Sequence, residues 1–168
     1  MIRLLIFGPT GSMGKLISKL ALEDSEIEVI AACDISEITV PLEQIVGTKD
    51  PHGIVINHAK NLEELIKKTN PTIAVDFTTP EATEKNSITC IENNVKIVIG
   101  TTGLSDIFLQ GILLLVEKKG VPILIIKDQI EMKNQASNRE SLGRKVIRGI
   151  KLVSKTKESK IYSMSDIS

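Results

Sequence analysis

Residues 2–34, IRLLIFGPTGSMGKLISKLALEDSEIEVIAACD, decide how this chain is read. The apolar run at 2–7 is too short for a helix and is bounded by glycine, so it reads as a buried strand. Glycines follow at 8, 11 and 14, and residues 12–23 then space their apolar side chains at helical intervals. IEVIAAC at 27–33 is a second apolar run and ends at Asp34. Strand, glycine turn, helix and strand in this order make a βα unit leading into a second parallel strand.

The same alternation continues outward from that unit. Residues 61–69 predict a helix, 72–77 a strand, 80–94 a helix with Pro80 near its first turn, and 96–100 a strand. A helix over 105–120 has Ser105 as its N-cap and Gly120 as its stop, and VPILII at 121–126 is a further strand. Between 35 and 60 the pattern weakens, with PLEQIVG expected as a short helix and GIVI at 53–56 as a short strand. After Ile126, DQIEM reads as a short strand and residues 139–154 as a basic helix. The last ten residues, SKIYSMSDIS, read either as a docked tail or as a frayed end.

These elements predict an α/β fold: a doubly wound, mostly parallel sheet of the Rossmann type, with a C-terminal helix packed on it. With 168 residues, one core is expected. Residues 1–126 are expected to form one domain, of the kind that binds dinucleotides, and 127–168 a strand and helix that complete it. Only 2% of residues are aromatic against 42% hydrophobic, which suits buried parallel strands under helices.

Lys+Arg and Asp+Glu both number 21, so no global field draws nucleic acid or an anionic membrane surface, and neither is expected as a partner. The charge is unevenly placed. Residues 127–168 carry ten basic against five acidic side chains, net +5, and the remainder is net −5. The basic segment reads as a solvated helix face. Cys33 and Cys90 lack metal-ligand or CxxC spacing and read as reduced core residues of a cytoplasmic protein. The opening apolar run is too short for a signal peptide or a membrane span.

Gly8-Pro9-Thr10-Gly11-Ser12-Met13-Gly14 lies between the first strand and first helix. Glycines there let the backbone approach a pyrophosphate, which the N–H groups and positive dipole end of the helix then hold. The spacing is G-x-x-G-x-x-G and not G-x-G-x-x-G, so taken alone it also fits a tight turn. Asp34, about twenty residues beyond Gly14, adds an acceptor for the adenosine ribose hydroxyls. An acid there repels a 2′-phosphate, and Ile35 follows it where an arginine would pair one, so the reading leans to NAD(H) over NADP(H). Asp76-Phe77-Thr78-Thr79-Pro80 and Gly100-Thr101-Thr102-Gly103 close the fourth and fifth strands, the edge at which open α/β sheets bind ligands. Each also fits an ordinary turn.

GPTGSMG at 8–14, Asp34, DFTTPEA at 76–82 and IGTTGLS at 99–105 occur in this order, and together they resemble the 4-hydroxy-tetrahydrodipicolinate reductases of lysine and diaminopimelate biosynthesis. The resemblance implies NAD(P)H-dependent reduction of a small dicarboxylate. It implies that Gly8, Pro9, Thr10, Gly11, Ser12 and Met13 hold the pyrophosphate and Asp34 the ribose. Gly100, Thr101 and Thr102 would lie beside the nicotinamide, with Phe77 and Thr78 as neighbours of the cofactor. Glu131, Ala136, Ser137, Arg139 and the Tyr162-to-Asp166 ending resemble the family's last segment, with Asn134 where the family has histidine.

What lies between these two ends in the family, a central substrate and oligomerisation domain with a His-His pair, a Lys and a Ser-Gly-Thr segment, has no counterpart in the sequence. Catalytic residues are accordingly unassigned, with Lys127 and Lys133 the candidates for a carboxylate contact and His52 and His58 read as surface residues. No metal site is expected, and the oligomeric state is left open. Two readings stay in play: a member of the reductase family, and a non-catalytic nucleotide-binding or regulatory module. A short-chain dehydrogenase is disfavoured, because the fourth residue after Tyr162 is Asp166 and not lysine.

Overall fold

The computed structural model describes residues 1–127 and 136–167. Its strands are β1 (Ile2–Phe7), β2 (Ile27–Asp34), β3 (Ile56–His58), β4 (Ile73–Asp76), β5 (Lys96–Ile99), β6 (Ile123–Ile125) and β7 (Ile161–Tyr162). They form one sheet in the order β3-β2-β1-β4-β5-β6-β7, and every neighbouring pair is parallel. The helices are α1 (Ser12–Leu22), α2 (Leu42–Val46), α3 (Leu62–Thr69), α4 (Pro80–Glu92), α5 (Asp106–Lys119) and α6 (Ala136–Lys155).

A parallel sheet must be covered on both faces, and the burial follows that demand. Side chains of α1, α2 and α6 share one core with the sheet, including Ile17, Leu42, Val146 and Ile150. Those of α3, α4 and α5 share the other, including Leu65, Ile91, Ile112 and Val116. Alternate residues of β1 show the two-sidedness: Leu4 and Ile6 enter the first core, Leu5 and Phe7 the second. The chain runs outward from β1 to β2 and β3, then returns to place β4 on the other side of β1. The carboxyl ends of β1 and β4 therefore flank a topological switch point, where ligand crevices form in such sheets.

Helix limits follow the expected caps. Thr79 caps α4 by accepting from the Ala82 N–H, Ser105 caps α5 by accepting from the Phe108 N–H, and Gly120 ends α5 in the left-handed conformation. PLEQIVG does form a short helix. The strand expected at 53–56 is displaced to 56–58. Asp50 causes this: its carboxylate accepts from the His52 and Ile54 N–H groups, folding 50–54 into a turn that Gly53 completes at φ +63°. Val55 then makes only an isolated antiparallel bridge to Pro41. The strand expected in DQIEM lies outside the described residues.

The C-terminal segment packs on the rest of the sheet. Helix α6 lies against α1 and β6 where it carries glycine: a Cβ at Gly143 would stand 2.9 Å from Leu20, and one at Gly149 would stand 2.6 Å from Leu124. Its positive charge meets the acidic α1–β2 connection, where the Lys151 ammonium lies 2.7 Å from Asp24 and 3.0 Å from Glu26. The tail is docked and not frayed: Tyr162 pairs with Leu124 across β6 and β7, and its hydroxyl lies 2.6 Å from that of Thr156.

Lys96, the first residue of β5, donates to the carbonyls of Val153, Ser154 and Thr156 at 3.0, 3.0 and 2.8 Å, tying the end of α6 to the sheet. A cation at a helix C-terminus also meets the negative end of the dipole. Lys96→Met keeps the stem and removes these bonds. It is expected to cost about 1.5–3 kcal/mol of stability in urea unfolding, and a loss below about 0.5 kcal/mol would show that the carbonyls are equally well served by water.

Candidate functional site

The turn after β1 is built around three glycines with different duties. Gly8 has φ +76°, and a Cβ there would stand 2.8 Å from the Thr78 methyl group and 3.1 Å from the Phe77 carbonyl, so the turns after β1 and β4 touch. A Cβ on Gly14 would lie 1.8 Å from the Gly8 carbonyl oxygen. This is the close approach of helix to strand that only glycine permits. At Gly11 a Cβ would meet nothing nearer than 3.6 Å, and the space it would enter opens outward.

Gly11 is the N-cap of α1, and no side chain caps that terminus. No acidic residue lies in the first turn of α1, whereas α3, α4 and α5 carry Glu63 and Glu64, Glu81, and Asp106 there. Helix α1 thus keeps its unpaired N–H groups and its positive end available to an anion from outside.

Asp34 ends β2 beside this turn. One carboxylate oxygen accepts from the Thr10 N–H at 3.1 Å and the Thr10 hydroxyl at 2.7 Å; the other accepts from the Ile35 N–H at 2.7 Å. The acid is held at the rim of a depression lined by Gly8, Gly11, Cys33, Ile35, Phe77 and Thr78 among others. Cys33 sits below it, its thiol pushed up to about 12 by burial and by the neighbouring Asp34 and Asp76 charges. Burial also raises the Cys90 thiol. Both are free thiols, buried as expected, and neither has the environment of a nucleophile.

Across the switch point, Asp76 ends β4 with no solvent exposure. It accepts from the Thr78 N–H and hydroxyl at 2.9 and 2.6 Å, from the Thr83 hydroxyl at 3.0 Å and from the Asn86 amide at 2.9 Å. Four neutral donors thus satisfy a buried carboxylate. Thr83 and Asn86 escape sequence reading because polar residues inside a helix usually face water. The available signal is their place on the same helical face as Ser87 and Cys90, the face that α4 buries.

Gly100 lies over the Phe77 ring, whose Cε1 a Cβ would approach to 2.1 Å. Thr101 is buried, and its Oγ1 stands 3.1 Å from the Thr78 nitrogen. A second depression runs from Thr101 and Thr102 to Leu109 and on to Ile125, Ile126 and Lys127. The expected residues Gly8–Met13, Asp34, Phe77, Thr78 and Gly100–Thr102 therefore gather at one edge of the sheet, at the carboxyl ends of β1, β2, β4 and β5.

Lys127 lines that second depression, while Lys133, Glu131 and Asn134 lie outside the described residues. His52 instead faces Glu28 at 3.8 Å, and His58 accepts from the Lys60 N–H at the start of a 3-10 turn. Among the described residues, no group of three or more His, Cys, Asp or Glu is arranged to hold a metal ion, and no helix is long and apolar enough to cross a membrane.

Comparison with known proteins finds relatives over most of the chain. Residues 2–128 match the family described as "Dihydrodipicolinate reductase, N-terminus". A 4-hydroxy-tetrahydrodipicolinate reductase of Syntrophomonas wolfei is 34% identical over 124 residues, which are 74% of this chain and 46% of that protein. The dipicolinate-bound dihydrodipicolinate reductase of Paenisporosarcina sp. TG-14 superposes with a TM-score of 0.63 at 31% identity, over 75% of this chain and 47% of that one. An amine dehydrogenase of Mycobacterium smegmatis, 18% identical with a TM-score of 0.62 over 75% of this chain and 38% of its own, shares the fold. The chain spans about half the length of the curated relatives it matches.

Proposed function

This chain belongs to the dihydrodipicolinate reductase family, and on that premise we propose that it binds a nicotinamide dinucleotide along the carboxyl edge of its sheet, as the cofactor half of a 4-hydroxy-tetrahydrodipicolinate reductase of lysine and diaminopimelate biosynthesis. The observation that carries the reading is the open N-terminus of α1, uncapped and without an acid in its first turn, set behind a glycine turn and next to Asp34.

In this reading, the turn of Gly8, Pro9, Thr10, Gly11, Ser12 and Met13 wraps the pyrophosphate, and the unpaired N–H groups of Ser12 and Met13 at the start of α1 donate to it. Asp34 accepts from the adenosine ribose hydroxyls, exchanging its bonds to Thr10 for bonds to the ribose. Phe77 and Thr78 flank the middle of the ligand. Gly100, Thr101 and Thr102 lie beside the nicotinamide. The bound nicotinamide supplies the hydride for reduction. The residues of this chain orient it, and Phe77 and Leu109 keep water from one side of the cleft. Among the described residues, Lys127 is the cation lining the second depression and is assigned to a carboxylate of a small dicarboxylate substrate. The protein is assigned to the cytoplasm, in keeping with its two buried thiols.

A second reading, a nucleotide-binding module without turnover, is favoured by one observation. Among the described residues lining the depression beyond Gly100, Lys127 is the one titratable group, so no acid or histidine stands ready to protonate a substrate.

Calorimetric titration with NADH and NADPH, followed by assay of freshly made hydroxy-tetrahydrodipicolinate, separates these readings. Binding with turnover supports the reductase, binding without turnover supports the module, and failure to bind either nucleotide overturns both. Asp34→Ala is expected to weaken NADH about tenfold while leaving NADPH within about twofold. The charge that repels a 2′-phosphate is lost together with the ribose acceptor. Equal weakening of the two would remove Asp34 from the ribose.

A further inference from the structure

Helix α5 is apolar on two opposite sides, and the sheet covers one of them. Its inward stripe of Phe108, Ile112 and Val116 is buried in the core shared with α3 and α4. Its outward stripe runs Ile107, Gly111 and Leu114, spaced four and three residues apart and therefore on one face. Ile107 is 85% exposed and Leu114 68%, with Leu113 on the flank at 44%. These are three of the seven large apolar side chains that stand exposed among the described residues, and no other described helix carries more than one. A helix with apolar residues on all sides is ordinarily a buried one, so the outward face of α5 has the composition of an interface.

The face fits a second copy of itself. Read in either direction the stripe is large, small, large, and Gly111 leaves its centre open: a Cβ there would meet nothing within 4 Å. Two antiparallel copies related by a two-fold axis level with residues 110 and 111 set Ile107 of each opposite Leu114 of the other. Gln110 is exposed and then meets its own copy across the axis, where one amide donates and the other accepts. The ends agree as well. Asp106 lies in the first turn of α5, while Lys118 and Lys119 outnumber Glu117 at its end. Antiparallel pairing brings each acidic end beside a basic one and opposes the two helix dipoles, whereas parallel pairing aligns like with like.

We infer that the outward face of α5 pairs with the same face of a second copy of this chain, as an antiparallel helix pair across a two-fold axis. With no side chain at Gly111, the two axes can approach to the near end of the usual separation of about 8–10 Å. The contact is small. Helix α5 has 14 residues and is about 21 Å long, and one face of that length falls short of the roughly 800 Å² per partner of a standard interface. The pair is therefore a weak dimer, with a dissociation constant of about 0.1 mM. Ile107, Gly111 and Leu114 line neither depression of the cleft, so the pairing is independent of cofactor binding.

Sedimentation velocity on the full chain from about 10 µM to about 1 mM should show the mass rising from 18.4 kDa toward twice that value. Leu114→Glu should keep the protein monomeric over this range, with its unfolding midpoint in urea unchanged because the side chain it replaces is exposed. Gly111→Leu is the sharper variant. It adds apolar surface where its own chain leaves room, so stickiness without geometry would strengthen association, whereas a bulky side chain between closely packed helices should weaken it about tenfold or more. Crosslinking reads the orientation. Gln110→Cys should form a disulfide-linked dimer under mild oxidation, and Lys118→Cys should not, since antiparallel pairing holds the two copies of position 118 about 20 Å apart. The two native cysteines are buried and do not compete. A protein that stays monomeric at the highest concentration overturns the inference, as does stronger association of Gly111→Leu, or equal crosslinking of the two cysteine variants. Binding to phosphatidylcholine vesicles that Leu114→Glu abolishes, without self-association, overturns it in favour of a lipid surface.

Discussion

Gly14→Ala is expected to cost about 3–5 kcal/mol of stability, a large part of the total margin of a chain of this size. The added methyl group would stand 1.8 Å from the Gly8 carbonyl oxygen and 2.6 Å from its carbon. Both are backbone atoms, so no side chain can swing aside. Gly8 is itself pinned, because its N–H donates to the Cys33 carbonyl at 2.9 Å and its Cα packs on the turn after β4. Relief therefore requires α1 to move off β1, away from the core that Ile17 and Ala21 share with Leu4 and Ile6. Gly11→Ala supplies the contrast. Its Cβ meets only ordinary contact at 3.6 Å, and Gly11 has φ −76° and ψ 165°, which alanine adopts freely. That variant should keep its unfolding midpoint in urea and lose nucleotide affinity, since its methyl group enters the space proposed for phosphate. A Gly14→Ala protein within about 1 kcal/mol of the parent would show that helix and strand are less tightly apposed than the geometry requires.

Asp76→Ala is expected to be nearly as damaging, about 3–5 kcal/mol, for an electrostatic reason. It leaves the Thr78 N–H and hydroxyl, the Thr83 hydroxyl and the Asn86 amide facing a buried void, and each unsatisfied donor carries its own desolvation cost. Asp76→Asn keeps the shape and one carbonyl acceptor, but turns an N–H group toward either the Asn86 amide or the threonine donors. It should lose about half as much. Thermal unfolding of the three proteins checks this order, and an alanine variant that melts within about 2 °C of the parent would mean that water has taken over the donors.

Much of the fold and of the cleft is legible in the amino-acid sequence, for local reasons. The first βα unit announces itself because strand, turn and helix each carry their own chemistry within residues 2–34. Caps at Thr79-Pro80 and Ser105 act over three residues and are equally visible. What stays hidden depends on residues distant in sequence. Strand β3 is displaced because Asp50 organises a turn ahead of it, and β7 exists because the edge of β6 is there to pair with Ile161 and Tyr162. Asp34 and the glycine turn can be read as a pair from spacing alone. The link from Asp76 through Thr83 to Thr101 crosses two turns and the buried face of a helix, and no periodicity reports it.

The order of strands has a consequence for how the chain is made. β6 pairs on one side with β5, but its other edge waits for β7, which follows only after all of α6. At about 5–20 residues per second of synthesis, the stretch from Ile126 to Lys160 takes seconds to emerge, far longer than a hairpin needs to close. During that interval the nascent chain carries an unsatisfied ribbon of Ile123, Leu124 and Ile125, all apolar, with α6 not yet laid over Leu124. Strand β7, translated only after α6, is thus the one that withdraws the growing polypeptide from the reach of its neighbours on the polysome.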